Sequence, residues 1–295
     1  MKLKVVVCAL VTLSVAAAFP APGAAADSTF TNTTPPIAVG KFADTAEISE
    51  MLRQAEAYAS GDGVKKDPKK AFKLHRKAAD MGSARAMCLL GLDYADGVGT
   101  KKDAVEAVKW LRKSAEEGWP SAQHDLAMCY AMGNVPNKTA SDAIIWYRKA
   151  AEQGLPDSEA ALGVCYLEGV GAPKDIPQGV YWTRRAAEKG FAPAQRYLGI
   201  CYTKGNGVPK DLVLAYKWLN LAAAKDDMNS DEIRVNLSSA ERFMTPEQIA
   251  EGQRLAHDFK AKPIPLPGEP VKPHTEEAAA AQSATEVTNS PAVTP

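Results

Sequence analysis

The feature that most constrains this chain is a period. Tyrosines stand at Tyr58, Tyr94, Tyr130, Tyr166 and Tyr202, each thirty-six residues after the last. Tryptophans at Trp110, Trp146, Trp182 and Trp218 keep the same step, with Leu74 in the slot before them. Five copies without an insertion or deletion mark a stacked-helix array. Each unit of such an array packs only on its neighbours, so a chain of 295 residues need not divide into ordinary domains.

One copy, Ser83 to Gly118, shows how the unit is built. Ala86, Leu90, Gly91 and Tyr94 share one face of a first helix. Gly97 and Gly99 end it, because they accept backbone angles that other residues resist. Asp103 caps a second helix, and Glu106 three residues on predicts a capping box. The same slot holds Asp67, Thr139, Asp175 and Asp211, and Pro68 stands at a first helical position. In the second helix Ala107, Trp110, Leu111, Ser114 and Ala115 form the stripe expected to be buried. The Trp and Tyr columns read as core packing.

The fold class is therefore all-α, a solenoid of five helix-turn-helix repeats over 46–82, 83–118, 119–154, 155–190 and 191–226. Gln54 and Ala55 replace the Leu and Gly of the first copy, as suits an end repeat. Residues 227–260 read as two capping helices. Thr245-Pro246-Glu247-Gln248 opens the second, and Ile249, Gly252, Leu255, Ala256 and Phe259 give it an apolar face. In repeat three Gly133-Asn134-Val135-Pro136 loses the second loop glycine, which predicts a reshaped loop.

The flanks have another character. Lys2 and Lys4 precede an apolar run, and Ala24-Ala25-Ala26 offers a small-x-small cleavage site, so residues 1–26 read as a signal peptide of an exported protein, periplasmic or secreted. Residues 27–45 read as a linker, and the Pro/Ala-rich residues 261–295 as a disordered tail. No later segment is apolar enough to span a membrane, so no stable span is expected after cleavage. Thirty-five basic residues balance thirty-five acidic ones, which removes any electrostatic reason to expect nucleic acid as a partner.

These residues resemble the Sel-1-like repeat, a relative of the tetratricopeptide repeat with a thirty-six-residue unit. The resemblance rests on Leu162-Gly163-Val164-Cys165-Tyr166, Leu198-Gly199-Ile200-Cys201-Tyr202 and the closing Lys149-Ala150-Ala151-Glu152-Gln153-Gly154, and covers about residues 47–226. It implies a right-handed superhelix and an adaptor that holds protein complexes together. Exported bacterial members are secreted or envelope proteins.

Little in the chain points to chemistry. His75, His124, His257 and His274 lack ligand-spaced companions, and no H-E-x-x-H, P-loop, G-x-S-x-G or S-x-x-K occurs. No cofactor, metal or catalytic residue is expected, and the chain reads as a non-enzyme. What remains is a surface. In related arrays the first helix of every repeat lines the concave side. The slot two residues after the repeat's Leu holds Leu92, Met128, Val164 and Ile200, an apolar stripe suited to a protein or peptide partner. The slot two before that Leu adds His124 and Arg196. Burial of the stripe between neighbouring repeats explains it equally well. The alternative function is an envelope hydrolase or glycan-binding protein working around His124. Neither the partner nor the oligomeric state is written in the sequence.

Cys88, Cys129, Cys165 and Cys201 follow the leader. The last three share one slot, so they stack a repeat apart, about 8–10 Å, beyond the roughly 7 Å reach of a disulfide. Some relatives join the two helices of a repeat through a second-helix cysteine, which is absent here. Four free thiols acting as small hydrophobes are expected. A thiol titration of denatured, unreduced mature chain should count four, and a lower count would contradict this.

Overall fold

The computed structural model describes residues 42–225 and 230–264. The expected signal peptide, linker residues 27–41, residues 226–229 and the tail from 265 lie outside the described residues. Within them the chain is all-α. The first helices of the repeats are α1 (Ala46–Ser60), α3 (Ala84–Asp96), α5 (Pro120–Ala131), α7 (Pro156–Glu168) and α9 (Ala192–Lys204). The second helices are α2 (Pro68–Asp80), α4 (Ala104–Glu116), α6 (Ala140–Glu152), α8 (Ile176–Glu188) and α10 (Leu212–Ala223). Two more, α11 (Ser230–Glu241) and α12 (Pro246–His257), close the stack. Each second helix packs on its own first helix and on the first helix of the next repeat, while α10 is covered by α11 and α12. That is an α-solenoid with a lid.

The repeated letters are where the structure buries most. Leu90, Leu126, Leu162 and Leu198 are all fully buried, one in each of repeats two to five. The buried residues of α4 are Ala107, Trp110, Leu111, Ser114 and Ala115, the expected stripe. The glycine beside each leucine lets the two helices of a pair touch. A Cβ on Gly91 would lie 2.8 Å from Leu111 Cγ, and one on Gly199 2.7 Å from Leu219 Cγ. Larger residues there would force the pair apart.

Several local expectations are met and some are corrected. Asp103 accepts from the backbone of Val105 and Glu106, but Glu106 does not return the bond as a capping box. Its carboxylate takes Lys109 Nζ at 2.7 Å and Trp110 Nε1 at 3.2 Å instead. The reciprocal box forms at Thr245 and Gln248. Trp110, Trp182 and Trp218 are buried, whereas Trp146 is only half-buried because Tyr147 fills the interior beside it. The last helix ends at His257, and Phe259 lies beyond it, edge-on to Trp218 at 5.5 Å.

The loop of repeat three is reshaped. In repeat two, a Cβ on Gly99 would lie 2.1 Å from the Pro68 carbonyl oxygen, so that loop glycine seats the loop on the preceding second helix. Val135 replaces it in repeat three. The chain there puts Asn137 at φ 60°, the one non-glycine with positive φ among the described residues. Asparagine tolerates that conformation better than most side chains.

Two polar features were not anticipated. Arg76, Arg112 and Arg184 donate to the hydroxyls of Tyr94, Tyr130 and Tyr202 at 2.7, 3.3 and 3.1 Å, and Arg148 donates to Tyr166. Each bond joins a second helix to the first helix of the next repeat, eighteen residues on. The other feature is Glu159, fully buried at the start of α7. Arg185 Nε and Lys189 Nζ donate to its Oε1 at 2.9 and 2.8 Å. Gln123 and Gln195 take the same slot in their repeats and donate to the carbonyls of Ala115 and Ala187. Removing the carboxylate in Glu159→Ala would leave two half-buried cations without their counter-charge and should cost about 2–4 kcal/mol in urea unfolding. Glu159→Gln should cost less, because the slot already accepts glutamine twice. Equal losses would place the effect in side-chain volume rather than charge.

Candidate functional site

The first-helix slots singled out from the sequence can now be followed along the stack. His124 and Arg196 do not stand free in a groove. Both are buried, at 5% exposure each, and each reaches across to a neighbouring helix of the stack. His124 Nδ1 meets Ser158 Oγ at 2.8 Å, joining α5 to α7. Arg196 Nη1 donates to Glu232 Oε1 at 2.8 Å, joining α9 to the lid. Cys88, in the same slot, lies 3.8 Å from Asp125 Oδ2 and joins α3 to α5. The slot thus carries polar rungs from α3 to α5, from α5 to α7 and from α9 to the lid, while Leu52 and Ala160, its members in the first and fourth repeats, have apolar side chains. Burial, the larger effect, lowers the His124 pKa against the opposing charge of Asp157, so the neutral imidazole is the form that the rung uses.

The apolar stripe is open only at its ends. Met128 and Val164 are each 3% exposed, while Leu92 and Ile200 are half-buried. The repeats therefore close over the middle of the stripe, and a partner would meet its two ends. Beside it lie three half-buried acids, Asp96 on α3, Asp125 on α5 and Asp157 on α7. Burial pushes the Asp125 carboxyl up to about 7, with the neighbouring Asp157 charge adding to the shift. Burial likewise pushes Asp96 up to about 6, against the pull of Lys102. Sequence reasoning passed over these acids because the period does not repeat them; Asp125 stands where Leu89 and Ala161 stand in adjoining repeats.

The cysteine expectation holds. Cys88, Cys129, Cys165 and Cys201 are free and buried. Burial pushes Cys129 and Cys165 up to about 12 and Cys201 up to about 11, so these thiols are poor nucleophiles at neutral pH. Among the described residues no cluster of three or more His, Cys, Asp or Glu could hold a metal ion. No described helix is long and apolar enough to cross a membrane.

Comparison with known proteins places this architecture. The Sel1 repeat model matches five times, at 51–83, 84–119, 120–155, 156–191 and 192–227. The chain belongs to the Sel1 repeat family. A Sel1 repeat protein from Oxalobacter formigenes, known as a crystal structure, is similar at 34% identity and a TM-score of 0.63. The match covers 72% of this chain and 88% of that one. The protein c5321, a protective antigen of uropathogenic Escherichia coli with an SLR fold, is 25% identical with a TM-score of 0.49, over 84% of this chain and 57% of that one. No curated protein sequence matches the chain. Sel1 repeat proteins generally mediate protein–protein interaction and are typically non-catalytic scaffolds.

The recessed acids of this Sel1 repeat protein predict a stability that depends on pH. A carboxyl whose folded pKa is raised favours the folded state while protonated, and that advantage fades as it ionises. Stability from Asp125 is present near pH 4, about the unfolded carboxylate value, and is lost as pH rises through about 7. Urea midpoints measured from pH 4 to pH 8 should fall across that window, and Asp125→Asn should flatten the fall. An unchanged slope in Asp125→Asn would mean that the carboxyl does not titrate there.

Proposed function

We propose that this Sel1 repeat protein is an exported, non-catalytic adaptor that binds a protein or peptide on the face formed by its first helices. The observation that carries the reading is the way this face is built. Its rungs Cys88–Asp125 and His124–Ser158 join successive first helices, and Arg196–Glu232 joins the last first helix to the lid. Leu92 and Ile200 are left partly open at the two ends of one stripe, and the first helices of repeats two to four add the half-buried acids Asp96, Asp125 and Asp157. Such a surface offers apolar seats for side chains of a bound segment and carboxyls that can accept its hydrogen bonds. Rigidity in the scaffold favours binding, because little ordering is required when the partner arrives.

The buried His124–Ser158 pair gives no support to the hydrolase alternative. Ser158 is fully buried, so a substrate has no approach to its hydroxyl. The pair serves to join two helices. Export is supported by the leader-like residues 1–26 and by a cleavage motif before Asp27.

Met128 and Val164 cannot test the surface, since a charge at either would disrupt the interior. The double variant Leu92→Asp, Ile200→Asp should keep the fold by circular dichroism. It should lose at least about tenfold in affinity, about 1.4 kcal/mol, for the partner identified by cross-linking in the native envelope. Undiminished binding by the folded variant would remove the first-helix face from the reading. Amino-terminal sequencing of the mature protein should begin at Asp27. A chain recovered uncleaved from the cytoplasm would overturn the export assignment.

A further inference from the structure

Each first helix runs into the loop of its repeat, and one pair of slots in that loop varies. The first slot holds Asp62, Val98, Asn134, Val170 and Asn206 in turn, followed by Gly63, Gly99, Val135, Gly171 and Gly207. Repeat five alone joins an asparagine to a glycine, and Asn206–Gly207 is the one such pair in the whole sequence. That pairing has a chemistry of its own. An asparagine side-chain amide lies within reach of the next residue's backbone nitrogen, and glycine puts no side chain in the way. At Asn134 the β-branched Val135 crowds the same approach.

The structure leaves both reacting groups of repeat five free. Asn206 and Gly207 are exposed. The backbone N–H of Asn206 donates to the Cys201 carbonyl at 3.0 Å. Its side chain and the N–H of Gly207 make no hydrogen bond among the described residues. What lies beneath them is closely fitted. Gly207 has φ 73°, and an added Cβ would lie 2.5 Å from Ile176 Cγ2 and 2.8 Å from Val180 Cγ2. The loop therefore rests on the start of α8, the second helix of the preceding repeat, with no slack for a longer backbone. Val208 and Ile176 pack against one apolar cluster there.

We propose that Asn206 is a site of self-modification, converted to isoaspartate in the folded protein, and that the product lifts this loop off α8. With its proton lost to solvent, the Gly207 nitrogen attacks Asn206 Cγ. An N–C bond forms, the bond from Cγ to the side-chain nitrogen breaks, and ammonia leaves after taking a proton from water. One water then opens the cyclic imide, and nothing is oxidised or reduced. Opening at Cγ yields aspartate. Opening at the Asn206 backbone carbonyl yields isoaspartate, whose main chain runs through Cβ. The second product lengthens the backbone by one carbon and adds a carboxylate to the loop between Lys204 and Lys210. That extra carbon has no room where even a single Cβ on Gly207 fails to fit. The junction of repeats four and five therefore loosens as the protein ages, while the loops with Val98 and Val170 in this slot have no amide to lose.

Peptide mapping of the full chain, kept folded in mildly alkaline heavy-oxygen water, tests the site. The peptide holding Asn206 should lose its side-chain amide first and carry one heavy oxygen. Electron-driven fragmentation should find chiefly the β-linked product. Amide loss no faster than at Asn134, loss only after urea unfolding, or a wholly α-linked product would each overturn the assignment. Asn206→Val, which copies repeats two and four, should fold and keep its mass at this peptide. Hydrogen exchange reads the consequence for the stack. The Gly179 and Asp211 amides donate to the Asp175 and Tyr202 carbonyls at 2.9 and 3.1 Å, beneath and beyond the loop. In the isoaspartate fraction, separated by ion exchange, both should exchange faster than in fresh chain. Their counterparts Ala71 and Asp103 around the Gly99 loop should be unchanged. Equal exchange at Gly179 and Asp211 in the two fractions would overturn the displaced loop.

Discussion

Everything in this structure depends on the stacking of one fully buried leucine in each of repeats two to five. Leu90, Leu126, Leu162 and Leu198 each sit between the two helices of their own unit and the unit beside it. A single helix pair leaves that face exposed, so no repeat is stable alone and burial is completed only by a neighbour. The small residues follow from the same demand. Glycine at Gly91, Gly163 and Gly199 lets a second helix approach until Leu111, Thr183 or Leu219 touches its backbone. The ends obey it too, with Gln54 facing outward at one end and the α11–α12 pair covering α10 at the other.

Apolar packing alone would leave the rotation between repeats weakly specified. Two sets of polar contacts fix it. The Arg-to-Tyr bonds tie the second helices of repeats one to four to the following first helix, the Cys88 and His124 rungs tie first helix to first helix, and the Arg196 rung ties the last first helix to the lid. A hydrogen bond contributes only about 0.5–1.5 kcal/mol net, yet leaving one of these buried groups unpaired costs more than that. Their value lies in register, and register sets the shape of whatever face a partner meets.

Much of this was legible beforehand, for a reason that individual residues make plain. Packing slots must be refilled in every copy, so Leu, Gly, Tyr and Ala repeat and expose themselves to a reader. The arginines Arg76, Arg112, Arg148 and Arg184 repeat as well, but a lone cation looks like any solvated surface until its tyrosine is found eighteen residues later. Groups that occur once gave no warning. Glu159 stands where glutamine stands in two other repeats, and its burial with Arg185 and Lys189 follows from contacts made across thirty residues of chain. His124 and Arg196 were singled out rightly as first-helix residues, but their reach to the next helix is a matter of side-chain direction that spacing does not specify.

The sequence by itself determined the number of repeats, the place of every helix pair, the free state of the cysteines and the two-helix lid, because each of these follows from a period or a local signal. Only the tertiary structure decided which part of the apolar stripe is open. Met128 and Val164 are closed over, and Leu92 and Ile200 are not, because side-chain packing between the central repeats covers the first pair, and a one-dimensional pattern does not contain that packing. The same is true of the contacts that Phe42 makes with Trp119 and Lys262 with Glu188. Residues more than seventy positions apart meet because the repeats stack, and no local rule in the chain brings them together.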